Sequence, residues 1–456
     1  MQNLNLKILE KSLNSIGATA LYMAKDCDKT VLIITGQDKC GFKAEDTGDG
    51  KFRAELTHEN AVVLRKHFPW TAPVKGLQKF MSFGFGDRLG IASPAHIELI
   101  KNKDIFPFLA QQSIRELNLT KRTYDDVLDA ATFAVFREGY KKGYGADGDH
   151  LKTAEEIENA LSLGFTMITL DCSEHIKGGA VFEGEIPQKY SDKYLNVKYD
   201  IEGIPIIFTK EELGACIAVY EDAISFAAKI YNDFFASGKY NADLEISIDE
   251  TETSTTPLQH YFVARELLDS GVVFSTIAPR FCGEFQKGID FIGDIAQFEK
   301  EINVHAAITR SLGYKLSIHS GSDKFSVFPV IKKACRGNLH LKTSGTNWLE
   351  AMRVVAAKDP ALYREIHKYA LTVFDEAKKY YHVTADISEI HDVAALKNEE
   401  LPMLFDNDDN RQLMHITYGF ILGVYKDKLY ALWQKYEDDY RSALVKHIGK
   451  HLELLS

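Results

Sequence analysis

The sequence has few cysteines and none in pairs. Its six, Cys27, Cys40, Cys172, Cys216, Cys282 and Cys335, are scattered without a C-x-x-C spacing, which argues against a disulfide framework and points to free thiols in a reducing compartment. No apolar run is long enough to cross a bilayer. The start, MQNLNLKILEKSLNSIGATA, lacks the basic region and long apolar stretch of a signal peptide. The expected location is therefore the cytoplasm, with no membrane partner. Positive charge is also in short supply: 54 Lys and Arg stand against 65 Asp and Glu, a net charge of −11, which disfavours nucleic acid as a partner. Short-period repeats and low-complexity tracts are absent. The Gly-rich stretch SFGFGDRLGIASPAH (82–96) has neither the G-x-x-x-x-G-K-[ST] of a phosphate loop nor the dinucleotide fingerprint, so neither ATP nor NAD is indicated.

What is present is a globular composition, 45% hydrophobic and 26% charged, with a repeating grammar from residue 80 onward. A short apolar run ends in polar or Gly residues, and an amphipathic helix follows. The candidate strands are 80–87, 105–113, 143–150, 165–175, 244–250, 273–281, 315–323 and 339–345. Helical patterns lie between them, at 124–142, 154–163, 211–236, 258–269, 294–312 and 324–335. Eight such units predict a TIM-type (β/α)8 barrel over 76–346. An N-terminal α/β extension (1–75) precedes it, and a helical C-terminal extension (347–456) follows. The Gly- and Tyr-rich stretch 177–206 after strand four is either a lid or a decorative insertion. The helical tail is a candidate for packing on the barrel or for a contact between subunits of a homo-oligomer.

In such a barrel, chemistry sits at the C-terminal ends of the strands, and these ends are conspicuous here. LSIHSGSD (316–323) ends a strand in His319, Ser320, Ser322 and Asp323. GADGDH (145–150) ends another in Asp149 and His150, and further ends carry Asp171, His175, Asp249, Glu250, Arg280 and Glu284. A lone histidine in such a place is ordinarily structural. Two of them at one barrel mouth, each near an Asp, point equally to a pair of ligands for Zn²⁺, Mn²⁺, Co²⁺ or Ni²⁺. On DLEISIDE (243–250), Glu245, Ser247 and Asp249 share the inward face. Burial is expected to raise the pKa of Glu245 and suit it to general-acid work, unless a Lys or Arg pairs with it. Glu284 is a candidate third metal ligand and Arg280 a candidate carboxylate binder, in a stretch that also carries Lys287. Lys342, in HLKTSGT, is weakly similar to a Schiff-base lysine, and His340 reads as a core histidine.

These residues sit in a longer pattern. FGFGDRLGIASPAH, FLAQQSIRE (108–116), GYGADGDHLK, GFTMITLD, ISIDETETSTTPL, RFCGEFQKGIDF, HSGSDKFSVFP and RQLMHITYGF (411–420) together resemble the tagaturonate/fructuronate epimerase family of bacterial hexuronate catabolism. The resemblance implies a divalent-metal isomerase acting on a small sugar acid at C4. The DH and HSGSD strand ends are also similar to the metal-binding strands of class II aldolases. That likeness implies Asp149 as the base on the C4 hydroxyl, His150 and His319 as metal ligands, and Glu284 as the third. Glu245 is then the expected proton donor with Asp249 in reserve, and Arg88, Gln112, Arg280 and Lys324 are expected to hold the substrate's carboxylate and hydroxyls. The alternatives are a ketohexose (fructose/tagatose) 4-epimerase, a metal-dependent aldolase, or a sugar-acid-binding sensor.

Overall fold

Eight short strands close into a parallel barrel in the computed structural model, which describes residues 6–27, 29–390 and 392–455. They are β1 (Met81–Phe85), β2 (Phe106–Ser113), β3 (Gly145–Leu151), β4 (Met167–Asp171), β5 (Asp243–Ile248), β6 (Thr276–Pro279), β7 (Lys315–Ile318) and β8 (Leu339–Thr343). Their order around the barrel is their order in sequence, with β8 pairing back to β1. Each falls within its expected window to within one residue at an end.

The helices between them begin where the sequence supplies caps. Thr123, Thr153, Thr209 and Thr256 each accept from the backbone three residues on, and the Asp, Glu or Gln at that position reaches back. This reciprocal arrangement satisfies donors that a helix start leaves free. Apolar side chains on alternate strand positions, such as Leu244, Ile246 and Ile248, are buried against these helices.

Before the barrel, six strands between Leu6 and Ala54 form an antiparallel sheet, followed by the helix His58–His67. Its core, including Leu21, Met23, Leu32 and Ile34, packs on Phe133 and Phe136 of the helix Tyr124–Glu138. The first five residues of the expected N-terminal extension lie outside the described residues. The insertion after β4 forms a short helix, Gln188–Tyr194, and a hairpin, Tyr199–Ile201 with Ile204–Ile206. It packs on the helix Pro257–Asp269: Tyr194 donates to Glu266 Oε1 (2.6 Å) and its ring meets Phe262. Among the described helices, none is long and apolar enough to cross a membrane.

After β8 the chain is helical, and it is locked to the loop that leaves β7. Buried Asp323 pairs with Arg411 Nη2 (2.8 Å) and His447 Nε2 (2.5 Å) and accepts from Thr346 Oγ1 (2.9 Å), while its backbone N–H donates to His451 Nε2 (2.9 Å). Burial acts to raise the carboxyl's pKa, but Arg411 and His447 outweigh it and hold it well below the ordinary 3.8. A carboxylate with a depressed folded pKa stabilises the fold above its unfolded value, and that contribution is lost as pH falls below it. D323N leaves Arg411 buried without a counter-charge, a change that costs about 3–5 kcal/mol. The expected outcome in urea melts is a markedly lowered midpoint at pH 7, with the gap to the native protein narrowing below about pH 4.

Candidate active site

The end of β3 solves a geometric problem posed by the sequence, since neighbouring strand residues point to opposite faces. His150 adopts a left-handed φ of 56°, and the register of β3 on β4 shifts between Ile168 and Leu170. A bulge of this kind re-aims side chains, and both Asp149 and His150 consequently line the cavity at the barrel mouth. The left-handed conformation costs a non-Gly residue about 1–2 kcal/mol, which the surrounding contacts must offset.

β3 and β7 lie diametrically opposite in the barrel, yet their terminal imidazoles meet, with the His150 and His319 ring centroids 4.9 Å apart. Asp249, just past β5, joins them, and one ligand atom from each of the three lies within 4.8 Å of the others. Each imidazole is backed by a carboxylate. Nε2 of His319 lies 2.7 Å from Glu245 Oε1, and Nδ1 of His150 lies 3.4 Å from Asp171 Oδ2. With the proton of His319 on Nε2, its Nδ1 lone pair faces Asp249 Oδ2 across 3.1 Å. Two electron-rich atoms at that distance call for a cation or a proton between them. The electrostatics agree. Burial opposes charge on both rings, but Asp149 and Asp171 lift His150 to about 10, and Asp249 and Glu245 raise His319. Two imidazoles and a carboxylate, oriented from behind by further carboxylates, fit a divalent transition metal.

Beneath this cluster lies Lys342. Its ammonium is 2.6 Å from Asp149 Oδ1, 2.8 Å from Asp147 Oδ2 and 3.0 Å from Glu245 Oε1, and it donates to Thr169 Oγ1 (2.5 Å). Burial disfavours the charge, but the three carboxylates hold its pKa well above the ordinary lysine value. A lysine kept charged in this way is not poised as a Schiff-base nucleophile. Asp149 is pushed down to about 2 because Lys342 and the two imidazoles outweigh burial, whereas burial raises Asp147 to about 6.

Several expected roles change in consequence. Glu245 is inside the barrel as its strand face required, but its pKa is lowered, not raised. Lys342 and His319 outweigh burial, and Thr169 and Thr276 hydroxyls donate to its two oxygens (3.1 and 2.6 Å). It is an ionised support for His319, not a poised acid. Glu284 lies outside the three-residue donor cluster. It sits on the outer cavity wall, 4.0 Å from Arg280 and 3.8 Å from His382, and Asp249 supplies the third donor atom beside the two imidazoles instead. Arg88 does not line the cavity. It is buried under the Tyr418 ring, its Nε donating to Glu116 Oε1 (2.7 Å). Gln112 holds the same Glu116 (3.0 Å), and its neighbour Gln111 faces the cavity. Lys324 is also withdrawn, donating to the carbonyls of Gln286, Ile289 and Ser322. Arg280 does reach the outer wall.

The cavity has an inner chamber of about 50 Å³ opening into an outer one of about 240 Å³, with Arg115, Asp249, Glu250, Lys287, His319, Ser320 and Tyr381 common to both. None of the insertion 177–206 lines either chamber. Tyr380, Tyr381 and His382, from the helical tail, do. Nothing local in the chain marks these residues as cavity wall, because closeness between distant segments leaves no pattern along the sequence. A larger cavity of about 750 Å³ lies between the N-terminal sheet and the tail. Its acidic groups are already engaged: Asp129 with Arg65, Glu437 with Lys25 and Arg137, Glu55 with Arg53, and Asp126 with the backbone of Thr123. Asp323, His447 and His451 form a second group with ligand-type atoms. There Arg411 already neutralises the carboxylate and a backbone N–H occupies His451, so that group reads as a structural lock.

A family model for tagaturonate epimerases matches residues 9–455. The chain is 42% identical to a Thermotoga maritima protein described as a tagaturonate/fructuronate epimerase, over 98% of this chain and 97% of that one. Native and glycerol-complexed crystal structures of the fructuronate-tagaturonate epimerase of Cohnella laeviribosi superpose with a TM-score of 0.96. They are 46% identical to the chain, covering 99% of it and 96% of theirs.

The Lys342 cluster makes a measurable claim. K342M strands three buried carboxylates and should lower stability in urea melts by about 3–5 kcal/mol. Adding E245Q removes one of the stranded charges, and the double variant should recover about 0.5–3 kcal/mol as a coupling energy. Strict additivity would show that the two residues are not paired.

Proposed function

The chain belongs to the tagaturonate epimerase family, and on that premise we propose that it interconverts D-tagaturonate and D-fructuronate at C4, in hexuronate catabolism, by a metal-assisted retro-aldol and aldol sequence. The observation that carries the reading is the His150–Asp249–His319 donor cluster beside an ionised Asp149.

The two sugar acids differ at C4, while the ketone is at C2. The C4 hydrogen is not α to the carbonyl, so direct enolisation cannot invert that centre. The C4 hydroxyl is β to the ketone, and that relation permits cleavage of C3–C4. Asp149, kept ionised by Lys342, takes the C4 hydroxyl proton. The C3–C4 bond breaks, its electron pair passing to C3 and the C2 carbonyl as an enediolate, and C4 becomes an aldehyde. After the aldehyde turns its other face, C3 re-adds to it and Asp149 returns the proton to the C4 oxygen. One residue thus serves as base and then acid, and no separate donor is required of Glu245. His150, His319 and Asp249 would hold the divalent cation, which supplies Lewis-acid charge for the ketone oxygen and the developing negative charge.

The inner chamber favours an epimerase over a free aldolase in one respect. Its walls, with Tyr381 from the tail at the rim, would retain the two fragments between cleavage and re-addition. Trapping released three-carbon products in a D-fructuronate incubation tests this, and stoichiometric release would identify an aldolase.

Two predictions follow from the roles assigned. D149N should lower kcat on D-fructuronate by about 10²–10⁴-fold while bound metal, measured by plasma mass spectrometry, stays at the native level. Near-native turnover would refute Asp149 as the base. In the same metal assay, D249N and H319A should lose the ion and E284Q should keep it. The reverse pattern would restore Glu284 as the ligand.

A further inference from the structure

The cations that reach the cavity differ in how their charge is met. Lys342 is held by three carboxylates. Arg115 pairs with Glu250 (3.1 Å) and donates to the Tyr380 carbonyl (3.2 Å). Arg280 lies 4.0 Å from Glu284 on the outer wall. Lys287 lines both chambers, yet among the described residues no carboxylate lies within 4.0 Å of its ammonium. Its side-chain partner is the neutral hydroxyl of Ser320, to which Nζ donates (2.9 Å).

This lysine is also well fixed. Its carbonyl accepts from Gln412 Nε2 (3.4 Å). The flanking carbonyls are held as well: Gln286 and Ile289 by Lys324 Nζ (2.8 and 2.5 Å), and Gly288 by Arg411 Nε (2.5 Å). Lys324, which does not touch the cavity, thus helps to staple the loop that carries Lys287. The ammonium touches the residue next to His319, so it stands immediately beside the donor cluster. A half-buried ammonium with donors to spare and no counter-charge in contact is costly until an anion arrives, even with Glu250 and Glu116 acting on it from a distance. Burial and the nearby Arg115 charge hold its pKa below the ordinary lysine value, a strain that an incoming carboxylate would relieve.

We propose that Lys287 recognises the terminal carboxylate of the substrate, with Ser320 beside it, and so selects hexuronates over neutral ketohexoses at this site. The proposal rests on the epimerase reading above, but its test is one of binding and does not depend on how the carbon–carbon bond is handled. The neutral comparison is D-fructose, which carries a hydroxymethyl where D-fructuronate carries the carboxylate. In the metal-loaded enzyme, K287M should raise KM for D-fructuronate by about 10- to 100-fold, as for loss of a charge-assisted hydrogen bond. It should leave kcat and the inhibition constant of D-fructose within about threefold of native. K287R, which keeps the charge, should recover most of the affinity. Calorimetric titration with D-fructuronate should show the same ranking. The proposal is overturned if kcat falls while KM holds, as expected of a proton-transfer residue. It is equally overturned if D-fructose and D-fructuronate weaken together in K287M, or if K287R is no better than K287M.

Discussion

Lys342 sits on an inward strand position where a barrel of this kind ordinarily packs Val, Ile or Leu, and Asp147, Asp149 and Glu245 lie within 3.0 Å of its ammonium. The rest of the site depends on this arrangement. Three carboxylates could not be buried together without a cation among them, because each would have to be protonated or exposed. With Lys342 in place, Asp149 stays ionised at the mouth and Glu245 stays ionised beneath His319. Thr169 and Thr276 take up carboxylate oxygens that would otherwise lack partners. The interior of the barrel is therefore a polar network filled by hydrogen bonds, and its members cannot be changed singly without stranding a charge.

Above that network the charge balance tips negative. Asp149, Asp171, Asp249 and Glu245 surround two imidazoles, and both imidazoles are pulled toward the cationic form. A site that favours protons on its histidines is one that favours positive charge generally, and a divalent ion would compete for the same lone pairs. The carboxylates behind the rings fix which nitrogen points inward. The outer chamber carries both signs: Arg115 and Arg280 face Glu250 and Glu284, and among the described residues on its walls Lys287 is the cation with no carboxylate in contact. A molecule with electron-rich oxygens at one end and a carboxylate at the other matches that arrangement.

The scaffold holds these two zones together from outside the barrel. The tail is joined to the loop after β7 through Asp323, Arg411 and His447, and Arg411 also holds the Gly288 carbonyl. The loop bearing Lys287, the strand end bearing His319 and the wall contributed by Tyr381 are thereby parts of one assembly. The insertion after β4 takes no part, since it lies against the outer helix Pro257–Asp269.

The barrel was legible along the chain, because strand and helix periodicities are local and the capping threonines mark the helix starts. So was the opposition of His150 and His319, since strands three and seven of an eight-stranded barrel cannot do otherwise. The inward aim of Glu245 followed from simple alternation. How each charge would be met depended on the folded arrangement. Glu245 was expected to be a raised-pKa acid because its partner, Lys342, lies 97 residues away. Arg88, Gln112 and Lys324 looked like substrate binders because nothing local reveals Glu116 or the carbonyls that consume their donors. Asp249 displaced Glu284 as the third donor through a closeness in space that spacing along the chain does not encode. Burial and pairing are properties of the assembled molecule, and they govern whether a titratable side chain acts as an acid, a ligand or a strut.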